Sequence, residues 1–225
     1  MHHYYITEKN DTMPLIGLPG DRRYDIAMKR LLLVLIPTMT IFSETITDAE
    51  RERAVRYLDS TREKVLASVH GLSEAQWKWK PAPERWSVAE CVEHITATEQ
   101  LLFERLQAAL KEPAQPEKKA LVKGKENLIM KAVPSRERRV TAPEEVRPTG
   151  RWPAPEGVLR AFNETRGRTL EFARETQTDL RSYFYPHFIL GDFDAYQWLL
   201  FMGAHFERHN AQIEEVKATA GFPSR

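Results

Sequence analysis

Helix-start signals divide the chain after residue 46 into a few long segments, and this limits the folds open to it. Residues 47–50, 87–90 and 194–197 have the spacing of capping boxes, in which the first and fourth residues cap each other's backbone N–H groups. Pro155 suits the first position of a further helix. An apolar face with helical periodicity follows each signal. The sequence therefore predicts four long helices, and no segment alternates well enough to predict a strand.

The predicted helices end where glycine or proline interrupts the periodicity. Gly71 follows the first helix, and Pro113 follows the second. A further capping box at residues 73–76 opens only a short turn, because Pro81 and Pro83 come soon after it. The predicted helices cover residues 47–70, 87 to about 111, 155 to the region of 173, and 194 to about 221.

The lengths of the connections predict how the helices are arranged. About 16 residues join the first helix to the second, and a similar stretch joins the third to the fourth. Such short links favour antiparallel neighbours. Residues 112–154, between the second and third helices, are far longer and rich in proline, with a short helix expected at 121–133. A long segment can carry the chain back along the bundle, so we predict an all-α, four-helix bundle with up-down-down-up connectivity and a crossover here.

The bundle is predicted to occupy residues 46–219, and residues 1–45 form a head of different character. We expect disorder over residues 1–25, where proline and glycine interrupt any helical pattern. A basic start at 28–30 then precedes an apolar run at 31–36, which is too short to span a bilayer. If translation starts at Met28, this run has the form of an export signal. The other reading is a buried or interfacial helix in a protein that is cytoplasmic by default.

Charge and cysteine usage exclude several classes of function. The formal net charge is +1 and the isoelectric point about 7.9, so no global field draws the protein to nucleic acid or an anionic membrane. Glutamates dilute the basic residues of segment 112–154, which we interpret as a solvated cover over one face of the bundle. Cys91, the single cysteine, excludes a disulfide framework and a multi-cysteine zinc site, and we expect it to be a small buried apolar residue.

Two histidines lie in the apolar stripe of the fourth predicted helix. His205 and His209 are four residues apart, so their side chains leave the same face about one turn from each other. Trp198 and Phe206 fall on that side, which directs the imidazoles toward the interior of the bundle. Buried imidazoles need polar partners, and a metal ion is a suitable one. The pattern predicts a metal site, with Gln212 as a partner for the second nitrogen of a ligand.

A third ligand must come from a neighbouring helix, and the second predicted helix offers His94 on the margin of its inward surface. If the second and fourth helices are neighbours, the three imidazoles converge near one end of the bundle. A site with three protein ligands leaves a coordination position open for a reactant. The alternative reading is a hydrogen-bonded core histidine at position 94 beside a chance pair. His187 lies in a predicted loop, where it could be a ligand or a substrate contact, but no periodicity directs it to the site. His2, His3 and His70 are expected at the surface.

Two stretches around these histidines resemble the DinB-like superfamily, which is named for expression induced by DNA damage. The stretches are W-S-x-x-E-x-x-x-H at residues 86–94 and H-x-x-x-H-x-x-Q-I at residues 205–213. Members of the family are four-helix bundles with up-down-down-up connectivity, and the likeness spans roughly residues 48–216. In the family the corresponding three histidines bind a divalent metal, commonly zinc or nickel. The resemblance thus implies that His94, His205 and His209 are metal ligands.

The resemblance also implies a chemistry. Better-understood relatives are transferases and isomerases that use a low-molecular-weight thiol, namely bacillithiol, mycothiol or glutathione. We therefore expect a metal-dependent thiol S-transferase that acts on small electrophiles, with no residue yet identified as catalytic or thiol-binding. The alternatives are a metal-assisted hydrolase and a non-catalytic, stress-linked protein that binds a metal or another ligand. A small-molecule substrate is expected, nucleic acid is not, and a homodimer is compatible with such a bundle.

Overall fold

The computed structural model describes residues 45–224, and within them four long helices form a bundle. These are α1 (Asp48–Val69), α3 (Val88–Ala109), α6 (Pro155–Glu175) and α7 (Ala195–Ala218). Shorter helices are α2 (Glu74–Lys78), α4 (Lys119–Val122) and α5 (Lys125–Ala132). Short 3₁₀ turns lie at Pro116–Lys118, Glu144–Val146 and Leu180–Ser182. The helical bundle predicted from the sequence is confirmed.

Capping boxes start most of these helices, as the sequence predicts. At the starts of α1, α2, α3 and α7, the cap side chain accepts a hydrogen bond from the N–H three residues later. The side chain of that later residue accepts in turn from the backbone N–H of the cap. These bonds satisfy N–H groups that the first turn of a helix otherwise leaves without partners. α6 begins instead at Pro155, which has no N–H to satisfy.

Contacts between the helices give their directions. α1 and α3 each lie beside both α6 and α7. Side-chain hydrogen bonds between α1 and α7 include Tyr57 to Glu207 and Lys217 to the Ser68 carbonyl. Those between α1 and α6 include Arg51 to the Ala173 carbonyl and Arg62 to Asn163. Residue numbers therefore rise in the same direction along α1 and α7, which are parallel. They rise in opposite directions along α1 and α6, which are antiparallel. α3 runs parallel to α6, with Glu99 bonded to Arg166 and Phe103 packed on Phe172. The order is up-down-down-up.

The long connection between α3 and α6 follows the bundle rather than leaving it. α5 packs against α7, and Val146 then reaches α3 beside His94. The expected helix at 121–133 is split in two at Gly124, whose φ of 85° interrupts an α-helix. The connection also buries apolar side chains, those of Val122, Ile129 and Val146. The segment predicted as a solvated cover therefore contributes to the core as well.

A short antiparallel hairpin corrects the prediction that the chain has no strand. β1 (Phe184–His187) pairs with β2 (Gly191–Asp194), and His187 lies opposite Gly191. Each strand has only four residues and β1 contains Pro186, so neither is long enough to show alternation in the sequence. Gly191 has a φ of 71°, a conformation that glycine adopts without strain. The hairpin directly precedes α7 and packs against it.

Gly203 lies where α1 and α7 approach each other closely. A β-carbon at this position would lie 2.7 Å from Cδ1 of Tyr57. Alanine gains about 1 kcal/mol of helix propensity over glycine, but overpacking a tight contact costs about 1–3 kcal/mol. We expect Gly203→Ala to lower the free energy of unfolding by about 1 kcal/mol in urea denaturation. At Gly167 in α6 a β-carbon meets nothing within 4 Å, so Gly167→Ala should stabilise the protein. Equal stabilisation by both changes would contradict the close approach.

The predictions made for the head fall on residues 1–44, which lie outside the described residues. The disorder expected over 1–25, and the choice between an export signal and a helix at 31–36, therefore stay predictions. None of the helices between residues 45 and 224 combines the length and apolar content that crossing a bilayer requires.

Candidate metal centre

Three histidines from two neighbouring helices meet inside the bundle. His205 and His209 lie one turn apart on α7, and His94 faces them from the antiparallel α3. One nitrogen atom of each ring lies within 4.8 Å of the corresponding nitrogens of the other two. The ring centroids are 5.1 Å apart for His94 and His205, 4.6 Å for His94 and His209, and 4.5 Å for His205 and His209. The structure brings together all three residues that the sequence selected.

Hydrogen bonds fix the orientation of two of these rings. Nδ1 of His94 lies 2.7 Å from the carbonyl oxygen of Val146, and it must donate to that oxygen. Nδ1 of His209 lies 2.9 Å from Oε1 of Gln212 and donates in the same way. With these protons on Nδ1, the Nε2 atoms keep free lone pairs, which is the form of imidazole that binds a metal. Gln212 has the position predicted from the sequence.

Burial keeps the three rings neutral. It lowers the pKa of His94 to about 4, although the hydrogen bond to Val146 acts in the opposite direction. It also lowers the pKa of His205 and of His209 well below the usual range, and nearby histidines and arginines add to the effect. A neutral imidazole offers its lone pair without first losing a proton. The donor set therefore fits a divalent ion, for which zinc and nickel are both suited to imidazole ligands.

A cavity of about 1580 Å³ opens beside the histidines. Its walls come from α3, α7, the hairpin and residues 128–146 of the long connection. Trp86 closes one side, since its ring centroid lies 4.8 Å from that of His94 and 5.9 Å from that of His209. Phe201 lines the cavity further along and stacks on His205, with 5.9 Å between the ring centroids. Solvent and small molecules can therefore reach the place where the three rings meet.

Arginines supply most of the charge around the cavity. Arg136 forms a two-point ion pair with Glu215, with distances of 3.1 and 3.0 Å, and Arg105 pairs with Glu145 at 3.4 Å. Arg208 donates to backbone carbonyls of the long connection, and none of the described carboxylates pairs with it. Burial and the neighbouring Arg136 lower the pKa of Arg208. The resulting positive potential favours an anionic ligand at the site.

Glu90 and Glu93, the carboxylates nearest to His94 in sequence, are engaged elsewhere. Glu90 completes the capping box of α3 and pairs with Lys80 at 2.9 Å. Glu93 accepts hydrogen bonds from the backbone N–H groups of residues 149–151. It thereby holds the long connection against α3, close to where Val146 bonds His94. Glu93 is a support for the site rather than a base within it.

Two parts of the site were not predicted. The Val146 carbonyl comes from a 3₁₀ turn that no sequence pattern connects with His94. His187, placed in a loop by the sequence, lies at the end of β1 and lines the cavity. The signal that marks it is the short Y-P-H-F stretch followed by Gly191, a turn signature rather than a periodic one.

The predictions for Cys91 and His70 are confirmed, and those for His2 and His3 are not tested. Cys91 is fully buried, and burial raises the pKa of its thiol, so its predicted role as a small apolar residue is confirmed. His70 is exposed at the end of α1, as expected. His2 and His3 lie outside the described residues.

The fold and the histidine cluster define a helical-bundle protein with a site that could hold a divalent metal. The family model of the DinB superfamily matches residues 57–213, so this chain belongs to the DinB superfamily. The uncharacterized protein YuaE of Bacillus subtilis (strain 168) is 24% identical over 148 residues, which are 65% of this chain and 86% of YuaE.

A solved structure shares the fold. YfiT of Bacillus subtilis, described as a probable metal-dependent hydrolase with an unusual four-helix bundle topology, is 19% identical to this chain. The match has a TM-score of 0.52 and covers 80% of this chain and 93% of YfiT. At this level of identity, the likeness establishes the common bundle.

Proposed function

We propose that this protein is a metal-dependent enzyme that joins a low-molecular-weight thiol to small electrophiles at His94, His205 and His209. The observation that carries the proposal is the convergence of three nitrogen donors, within 4.8 Å of one another, beside an open cavity. A structural metal site is normally closed by a fourth protein ligand, whereas a catalytic one keeps a position for a reactant. Among the described residues, this cluster offers three ligands.

The residues around the site have separate tasks. The three histidines would hold the ion, and Val146 and Gln212 keep two of the rings in the tautomer that binds it. A divalent ion held there would lower the pKa of a coordinated thiol, so that its sulfur is nucleophilic at neutral pH. None of the described carboxylates forms an ion pair with Arg208, and its charge acts in the same direction because it favours an anion nearby.

The surroundings of the histidines support a thiol rather than water as the nucleophile. The carboxylates that line the cavity are Glu84, Glu137, Glu145 and Glu215. The first two are exposed, and the other two are paired with arginines. The leading charge effects on His205 and His209 come from arginines and histidines. The described chain has no free carboxylate beside the rings to serve as a base. A divalent ion held there would lower the pKa of thiol and water alike, but the thiol starts from about 8.5 and free water from about 15.7, so the thiol depends less on a base.

Metal-assisted hydrolysis is the second candidate, and the description of YfiT as a probable metal-dependent hydrolase favours it. Three imidazoles around zinc are enough to activate water in other enzymes. A third candidate, a non-catalytic binding protein, predicts metal or ligand binding without turnover. The choice among zinc and nickel, the identity of the thiol, a homodimeric state and a cytoplasmic location stay predictions from the sequence.

We expect the zinc- or nickel-loaded protein to accelerate the conjugation of monochlorobimane with one of bacillithiol, mycothiol and glutathione. His205→Ala should abolish this rate, because the nitrogen lost faces the cavity. His70→Ala removes an exposed histidine and should leave the rate unchanged. The measurement is bimane fluorescence, with p-nitrophenyl acetate assayed in parallel for hydrolysis. Metal-dependent ester hydrolysis without thiol conjugation would favour the hydrolase over the transferase. The absence of both activities would leave the non-catalytic binding protein as the remaining candidate.

A further inference from the structure

The imidazole of His187 is held in one tautomer by the turn that follows it. Its Nδ1 atom accepts hydrogen bonds from the backbone N–H groups of Ile189 and Leu190, each at 3.1 Å. A nitrogen that accepts two N–H groups cannot carry a proton itself, so the proton of the neutral ring must be on Nε2. The hairpin turn therefore sets which nitrogen of His187 is the donor.

Aromatic side chains surround this ring and keep it uncharged. Its centroid lies 4.7 Å from that of Phe188, 4.9 Å from Phe201, 5.6 Å from Phe193 and 5.8 Å from Trp198. Burial among them lowers the pKa of His187 to about 4. At neutral pH the side chain is thus an uncharged imidazole with a fixed Nε2–H.

The donor of His187 belongs to the same cavity as the three histidines of the candidate metal centre. His187 lines that cavity, and Phe201 contacts both its ring and the ring of His205. Among the described residues, no protein group accepts a hydrogen bond from Nε2 of His187. The fully buried polar atoms without a partner do not include this nitrogen, so it is not sealed from solvent. The N–H is therefore available to a molecule in the cavity.

We propose that His187 donates a hydrogen bond from Nε2 to an oxygen of the electrophilic substrate, which assigns the substrate to conjugated carbonyl compounds. The proposal rests on the proposed thiol transfer. The thiol sulfur would form a bond to the β-carbon, and the carbon–carbon double bond would shift its electrons toward the carbonyl oxygen. The negative charge on that oxygen is stabilised by the His187 N–H, and water then protonates the α-carbon while the thiol proton goes to solvent. Neutral imidazole is suited to polarising a carbonyl, because it can donate without carrying a charge.

Two substitutions separate the functions of the two nitrogens. The Oδ1 atom in His187→Asn lies at the same bond count as Nδ1, so it can still accept from the turn, while the donor to the cavity is lost. The side chain in His187→Gln places an amide N–H near the position of Nε2. With methyl vinyl ketone and glutathione, we expect His187→Asn to lower kcat by about 100-fold, as for loss of one oxyanion donor, and His187→Gln to recover part of it. With benzyl chloride, which has no oxygen, we expect both variants to lose much less activity than with the ketone.

Nitrogen NMR of the zinc-loaded full chain tests the donor without turnover. We expect His187 to show the Nε2–H tautomer, and the unreactive ketone cyclohexanone to shift its Nε2 resonance. An Nδ1–H tautomer, an unmoved resonance, or equal losses by His187→Asn with both electrophiles would overturn the proposal. If the NMR results hold but no thiol is conjugated, thiol transfer fails while the donor assignment stands.

Discussion

Replacing His94 or His209 by alanine is expected to weaken divalent metal binding by more than about 100-fold, because even the loss of an outer hydrogen-bond partner of a ligand costs about 10–100-fold. Each change removes one of three nitrogen donors that lie within 4.8 Å of one another. Competition with a chelating dye, with zinc and with nickel, measures the affinity. Metal content of the purified untagged protein gives an independent reading.

Two further variants separate ligands from their partners. Gln212→Ala keeps all three imidazoles but removes the acceptor of the His209 Nδ1–H, so we expect an intermediate loss of about 10–100-fold. His70→Ala removes an exposed histidine and should bind metal like the wild type. Full metal occupancy in both His94→Ala and His209→Ala would refute the three-histidine site, and the proposed function would fall with it.

Breaking the ion pair between Arg166 and Glu99 is expected to lower the free energy of unfolding by about 3–5 kcal/mol. The pair lies in the middle of the bundle, and the two side chains are 0% and 1% exposed. Arg166 on α6 donates to Glu99 on α3 at 2.7 and 2.8 Å and to Thr61 on α1 at 3.0 Å. Its Cζ atom also lies over the ring of Phe206 on α7, 3.7 Å from the ring centroid. This one guanidinium therefore contacts all three other helices of the bundle.

The cost arises because removal of one partner leaves the charge of the other buried without compensation. Glu99→Gln keeps the size of the side chain and removes only its charge, so it isolates this effect. In the double variant Glu99→Leu and Arg166→Met, no charge remains buried, and we expect it to recover much of the lost stability. Urea denaturation of the single and double variants measures the coupling. If Glu99→Gln unfolds at the same urea concentration as the wild type, the pair contributes nothing and this account of the core is wrong.

The buried pair illustrates what helical periodicity misses. On α6 the inward face includes Phe162, Thr165 and Thr169, and all three side chains are buried. Arg166 lies between them and is fully buried as well. A sequence pattern assigns arginine and glutamate to the surface, because either charge alone is rarely buried. Only the meeting of α3 and α6 makes burial of both side chains acceptable.

The sequence by itself determined where the long helices begin, that they form a bundle, and that His205 and His209 share an inward face. Capping and periodicity act over a few residues, so they can be read along the chain. The tertiary structure alone decided that His94 meets these rings, that the Val146 carbonyl orients it, and that a hairpin brings His187 to the cavity. These contacts join residues far apart in the chain, and their geometry depends on how the helices and connections pack rather than on any local pattern.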